Sequence, residues 1–235
     1  MRWGSKGRCA LLVAAMVLVT ADVLTGGPLR HLDWIVHEYC DAHVRDGPLT
    51  AVHLATKLGQ RGDLVAVIAP LAVIAAIRTR SPRYVVMSAA IVFGLSLAQA
   101  GLKAVIPRTY PYGDADLLFT GGAAYPSGHT LNAFVLVWVV LELLVAAFPS
   151  VRLSARRRRG ISLATGCVAA AALTVADEHW LTDVLFSLAL GPVLLSALIA
   201  AEPLTRRAAV PDRRGRRTSG VPTQTNRRAP EGGGN

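Results

Sequence analysis

Tyr125-Pro-Ser-Gly-His129 runs directly into Thr130-Leu-Asn-Ala-Phe-Val-Leu-Val-Trp-Val-Val-Leu-Glu-Leu-Leu-Val-Ala-Ala-Phe148, a polar head followed by an apolar run whose single charge is Glu142. An α-helix needs roughly 20 mostly apolar residues to cross the hydrocarbon core of a bilayer, with about 17 as a practical minimum. The run from 130 to 148 meets that length. Its head supplies a serine where a helix N-cap is wanted and a proline and glycine where the chain must turn. Outward from it, five further stretches have the same character, at about 9–25, 62–77, 84–106, 160–177 and 180–201, each bounded by charge, glycine or proline. The expected fold is all-α, a six-transmembrane-helix bundle occupying residues 1–202. Composition agrees: 235 residues that are 52% hydrophobic and 17% charged, with a mean hydropathy of +0.42, are too apolar for an ordinary soluble domain.

A net charge of +10 invites a nucleic-acid reading, but the positions of the basic residues point elsewhere. Arg2, Lys6 and Arg8, then Arg78, Arg80 and Arg83, then Arg152 and Arg156 to Arg159, fall in every second inter-helix segment. Basic residues in short loops mark the cytoplasmic side. Both termini are therefore expected in the cytoplasm, and no nucleic-acid partner is expected. The opposite segments hold Arg30, Arg45, Lys57, Arg61, Lys103 and Arg108 together with the acids Asp33, Glu38, Asp41, Asp46, Asp114, Asp116, Asp177 and Glu178. Residues 203–235 are rich in Arg, Pro, Gly and Thr and carry too little apolar surface to fold, so a disordered basic cytoplasmic tail is expected there, its arginines setting topology or touching anionic headgroups. Residues 9–25 form either a retained helix or the apolar core of a signal peptide.

The segment from about 26 to 61 is too polar to span, and Leu49 to Leu58 reads as an amphipathic piece lying on the interface. Its histidines, His31, His37, His43 and His53, are scattered and read as a solvated surface rather than a metal site. Cys9, Cys40 and Cys167 have no metal-ligand spacing. Glu142, an acid at membrane depth, wants a hydrogen-bond partner on a neighbouring helix.

Three polar clusters stand at one end of the expected bundle: Lys103 with Arg108, Ser127-Gly128-His129, and His179-Trp-Leu-Thr-Asp183. Ionisable groups at membrane depth are costly, so convergence from three helices asks for a purpose. His179 and Asp183, four apart, share a helix face, where a carboxylate accepting the Nδ1 proton would leave Nε2 free as nucleophile or base. The same pair also reads as a polar helix cap. Ser127 and Gly128 open a helix whose free N–H groups favour an anion such as phosphate, or form an ordinary N-cap. Lys103 and Arg108 supply positive charge for phosphoryl oxygens, or snorkel to the interface.

In this order, Lys-x4-Arg, Pro-Ser-Gly-His and His-x3-Asp, together with Leu58-Gly-x-x-Gly-Asp63, the sequence from about 50 to 200 resembles the type 2 phosphatidic acid phosphatase superfamily. The resemblance implies a phosphohistidine mechanism: His179 attacks phosphorus, Asp183 orients it, His129 protonates the leaving oxygen, and Lys103, Arg108, Ser127 and the Gly128 amide hold the phosphoryl oxygens. It implies a lipid phosphate or isoprenoid diphosphate substrate at the extracytoplasmic face, with no metal ion and no cofactor. The family pattern also places arginine at 110 and a Ser-Arg pair at 172 and 173, where this chain has Tyr110, Ala172 and Leu173. Asp177 and Glu178, directly before His179, would repel a phosphate dianion. Either Arg108 reaches in from its shifted position, or the chain keeps the fold as a lipid-binding or scaffold protein. Oligomeric state is not readable from the sequence.

Overall fold

The computed structural model describes residues 5–44, 47–201 and 203–204. Among them the regular structure is helical throughout: α1 (Ser5–Thr25), α2 (Pro28–His43), α3 (Gly47–Thr56), α4 (Arg61–Thr79), α5 (Arg83–Val105), α6 (Gly128–Ala147), α7 (Ala155–Val175) and α8 (Leu181–Ala201). Short 3₁₀ turns occupy Lys57–Gly59 and Pro111–Gly113.

Helix α6 is the central pillar. It packs on α4, α7 and α8, and 67% of its apolar window is covered by protein, against 6% to 33% for the other helices apolar enough to span, α1, α4, α5 and α8. The sequence explains this: α6 is apolar on all sides, as a helix with no solvent or headgroup face must be. Phe134 sits between Gly166 of α7 and Gly191 of α8, where a Cβ at either glycine would run into its ring. Around it Trp138, Val139, Leu143 and Leu195 complete the core, with Ile68 and Ala72 from α4. The outward faces of α1, α4 and α5 carry Leu18, Ile77, Phe93 and Leu97, all exposed, the pattern of helices whose surroundings are acyl chains. Helix α7 begins in the Arg156–Arg159 run and is less apolar than the rest.

Glu142 has its partner on the neighbouring helix: Arg158 Nε of α7 donates to Glu142 Oε1 at 2.7 Å, near the C-terminal end of α6. One arginine of the run is thereby turned inward.

Helix α2 departs from the sequence reading of 26–61, which expected a helix only at Leu49–Leu58. That expected piece is α3 and the 3₁₀ turn, and α2 precedes it. Its amphipathicity is inverted: Asp33, His37 and Cys40 are buried while Leu32, Ile35 and Tyr39 are exposed. A stripe of polar residues at i, i+4 and i+7 is here the inner face, because it meets other polar groups there. Asp22 of α1 fixes where α2 begins, its carboxylate accepting from the N–H groups of Leu29 at 3.2 Å and Arg30 at 2.8 Å. His37, read from sequence as solvated, is buried between Asp177 and Asp114. Helix α1 packs on α8, with Val19 and Val23 in a cluster with Tyr125 and Phe186. Of the tail expected over 203–235, Pro203 and Leu204 form a turn with Leu204 buried in the main core, and 205–235 lie outside the described residues.

Candidate active site

The N-termini of α4, α6 and α8 and the C-terminal end of α5 meet at one end of the bundle around a cavity of about 610 Å³. His129, His179, Lys103 and Gly128 line it, so those sequence-predicted residues are brought together. Ser127, Asp183 and Arg108 stand behind its wall, all fully buried.

Asp183 occupies the third residue of α8 and works in three directions. Its Oδ2 accepts from the Trp180 N–H at 3.2 Å, which closes the first turn as a capping box does. The same oxygen accepts from His179 Nδ1 at 3.4 Å. Its Oδ1 accepts from Arg108 Nη1 at 2.8 Å. A carboxylate accepts and does not donate, so the neutral imidazole that suits this contact is the tautomer with its proton on Nδ1 and its lone pair on Nε2. His179 is not itself on the helix, as the i, i+4 spacing had suggested. It sits in the turn before α8, held by its N–H to Leu173 O, and the Tyr110 ring lies 5.5 Å away, centroid to centroid.

Ser127 is the N-cap of α6: its Oγ accepts from the Thr130 N–H at 3.4 Å and from the Thr130 hydroxyl at 3.1 Å. The helix offers no acceptor to the N–H groups of Gly128 and His129, the first two of its turn. Gly128 is tight as well as first, since a Cβ there would lie 3.0 Å from Gln99 Oε1 and 3.9 Å from Lys103 Cε. Gly59, at the end of the 3₁₀ turn, lies against the His129 backbone so closely that any Cβ would collide with it. The Lys103 ammonium is tethered to the Ala123 carbonyl.

Arg108, expected from its spacing to hold phosphate, faces away from the cavity. Residues 107–109 pair antiparallel with 117–119, with Phe119 N–H on Pro107 O at 2.8 Å and Thr109 N–H on Leu117 O at 3.1 Å. This pairing and the Trp180 indole N–H on Thr109 O, at 2.8 Å, hold the segment that turns the guanidinium inward. There it meets three carboxylates: Asp33 at 2.7 Å, Asp116 at 2.7 Å and Asp183 at 2.8 Å, over the Trp180 ring at 5.2 Å. Asp33 also accepts from the Thr182 N–H at 2.8 Å and hydroxyl at 2.6 Å, so α2 seals the N-terminus of α8. Burial raises the Asp33 carboxyl above the usual carboxylate range despite Arg108. Asp116, also desolvated, ends below it because Arg108 and Arg30 both hold it.

Among the cavity residues that sequence reasoning missed are Arg61, Gln99, Tyr110 and Asn132. Arg61 had been counted as a loop cation, and the buried amides Gln99 and Asn132 inside apolar runs were the one available signal. Glu178 also lines the cavity, 3.4 Å from His53, while Asp177 is turned to His37 at 2.8 Å.

The profile of the PAP2 superfamily matches residues 80–206, more than half of the chain. Among solved structures, one described as the first transmembrane PAP2 type phosphatidylglycerolphosphate phosphatase from Bacillus subtilis superposes with a TM-score of 0.68 at 18% sequence identity, over 85% of this chain and 98% of that one. That likeness is one of fold. No curated protein matches the chain. A bundle of membrane-spanning helices whose ends bring Lys103, His129 and His179 to one cavity, with the profile covering all three, makes the chain a member of the PAP2 superfamily.

Proposed function

We propose that the protein is a membrane phosphatase that hydrolyses a lipid phosphate or isoprenoid diphosphate through a phosphohistidine intermediate. The observation that carries the reading is the shared cavity of His179 and His129, with Asp183 on the Nδ1 side of His179. The Nε2 lone pair of His179 attacks phosphorus, an N–P bond forms, and the P–O bond to the leaving group breaks. His129 gives its proton to the departing oxygen. Water then attacks phosphorus, His129 takes the water proton, and the N–P bond breaks to return His179 and release phosphate. Lys103 and the first-turn amides of α6 balance charge on the phosphoryl oxygens, where preorganised donors act most strongly. The chemistry asks for no metal ion. The similarity in fold to the Bacillus subtilis phosphatase supports a phospholipid substrate. The distribution of arginines supports a cell-membrane protein with both termini cytoplasmic and the site extracytoplasmic, and a cytoplasmic tail from 203.

Glu178 in the cavity wall, with Tyr110 and Leu173 where the family pattern has arginines, favours as second reading a lipid-binding or scaffold protein on the same fold. The test is phosphate release by the purified protein in detergent with chelator present, offered phosphatidate, phosphatidylglycerol phosphate or polyprenyl diphosphate, beside His179→Ala. Release that disappears in His179→Ala is expected. No release from a folded parent on any of these substrates would leave the second reading.

A further inference from the structure

Arg61 is the first residue of α4, and its guanidinium reaches Gln99 Oε1 on α5. A guanidinium has N–H donors and no acceptor, so this contact sets the direction of everything behind it. Gln99 Nε2 donates to Asn132 Oδ1 of α6 at 2.9 Å, and Asn132 Nδ2 donates to Gly59 O at 3.0 Å. The relay ends two residues before Arg61, at the close of the 3₁₀ turn that precedes α4. Gln99 is 1% exposed and Asn132 is 3% exposed, two amides buried in apolar helices and each satisfied. Such an arrangement is costly to build in a membrane, and what it does is hold one exposed arginine in place at the cavity mouth. Gln99 Oε1 is also the neighbour of Gly128, so the relay brings Arg61 beside the first amide of α6 and near Lys103.

We propose that Arg61 is the guanidinium that holds the phosphoryl group, supplied from the start of α4 in place of the arginines that the family pattern sets at 110 and 173. This inference rests on the phosphatase reading. Arg108 is fully buried and held by three aspartates, Tyr110 and Leu173 are uncharged, and among the described residues that line the cavity the lysine and arginine side chains are Lys103 and Arg61. A guanidinium has five N–H donors in a planar fork suited to two phosphate oxygens, and Gln99 engages one of its nitrogens. The Glu178 carboxylate shares the cavity lining with Arg61 and Lys103 and does not set its charge alone.

The experiment measures binding of inorganic phosphate by calorimetry, and phosphate release, for the full chain in detergent and its variants Arg61→Ala, Arg61→Lys and Arg61→Ala with Tyr110→Arg. The expected result is phosphate binding weakened at least tenfold in Arg61→Ala with a native circular dichroism spectrum, and partly regained by lysine at 61 or arginine at 110. Binding lost in Arg61→Ala and restored in no part by either would mark a structural effect and overturn the inference. Arg61→Ala that binds phosphate and turns over like the parent overturns the inference and leaves the phosphatase reading standing. A parent that binds phosphate through Arg61 but releases none from any lipid overturns the phosphatase reading and supports the inference. A parent that binds no phosphate at millimolar concentration overturns the inference, and its turnover is judged separately.

Discussion

Arg108 Nη1 lies 2.8 Å from Asp183 Oδ1, on the other side of the carboxylate from the oxygen that faces His179 Nδ1 at 3.4 Å. The aspartate is therefore shared between a permanent cation and the imidazole it orients. A charge-assisted pair with a guanidinium is the stronger of the two claims on it. Asp183 is thereby locked in place, and His179 is aimed by a group that cannot rotate away.

Arg108→Ala leaves Asp33, Asp116 and Asp183 facing one another without their common cation. Breaking a buried pair from one side costs about 3–5 kcal/mol. The variant should lose thermal stability and yield in detergent, and Arg108→Lys should recover only part, since an ammonium cannot span three carboxylates. Thermal unfolding checks this; a variant as stable as the parent, with only a raised KM, would return Arg108 to phosphate binding.

His37 gives the protein a pH-dependent tie between α2 and the turn that carries His179. Burial alone would lower its pKa, but hydrogen bonds and charge from Asp177, then Asp114, outweigh burial and leave it raised. A raised folded value means that the stabilisation is complete below the unfolded value near 6.5 and is lost as pH rises through the folded value. Thermal midpoints of the parent should fall on going from pH 6 to pH 8, and His37→Gln should flatten that trend. Parallel trends in the two proteins would contradict it.

Two glycines three residues apart should behave oppositely. A Cβ at Gly59 collides with the backbone of His129, which has no way to give, while at Gly62 nothing lies within 4 Å. Gly59→Ala is expected to cost about 1–3 kcal/mol and to disturb the site. Gly62→Ala, in the first turn of α4, should be neutral or stabilising by up to about 1 kcal/mol. Denaturant titration of the pair reads both.

Glu142→Ala should lower stability by about 1–3 kcal/mol, because Arg158 loses its charged acceptor. Turnover of the folded fraction should be unchanged, since the pair sits near the C-terminal end of α6 while the cavity lies at its N-terminus. A variant of native stability with low turnover would place Glu142 in the chemistry instead.

The apolar runs and the Tyr125–His129 head were legible because a bilayer demands length and apolarity from any helix that crosses it, and few other sequences meet both. Helix α2 was not, because its inner face carries Asp33 and His37, and composition alone assigns such residues to water. Only the meeting with Arg108 and Thr182, about 75 and 150 positions further along, makes that face an interior one. Arg108 misled for the same reason: its spacing from Lys103 suits a phosphate, but pairing of 107–109 with 117–119 decides where the side chain goes. Arg61 reads as any loop cation in the sequence, because its partner Gln99 and the Asn132 that holds Gln99 come from two other helices.

The hold of Asp33 on Thr182 and Arg108 also limits how this protein can be divided. The family profile begins at residue 80, yet the first turn of the helix that bears Asp183 is closed from residue 33. A graft of 80–206 onto a foreign amino-terminal half would carry His179 and Asp183 across and leave their fastening behind. Positions 33, 108 and 182 are joined by hydrogen bonds into one fastening, and among relatives a change at one should be accompanied by compensating changes at the other two.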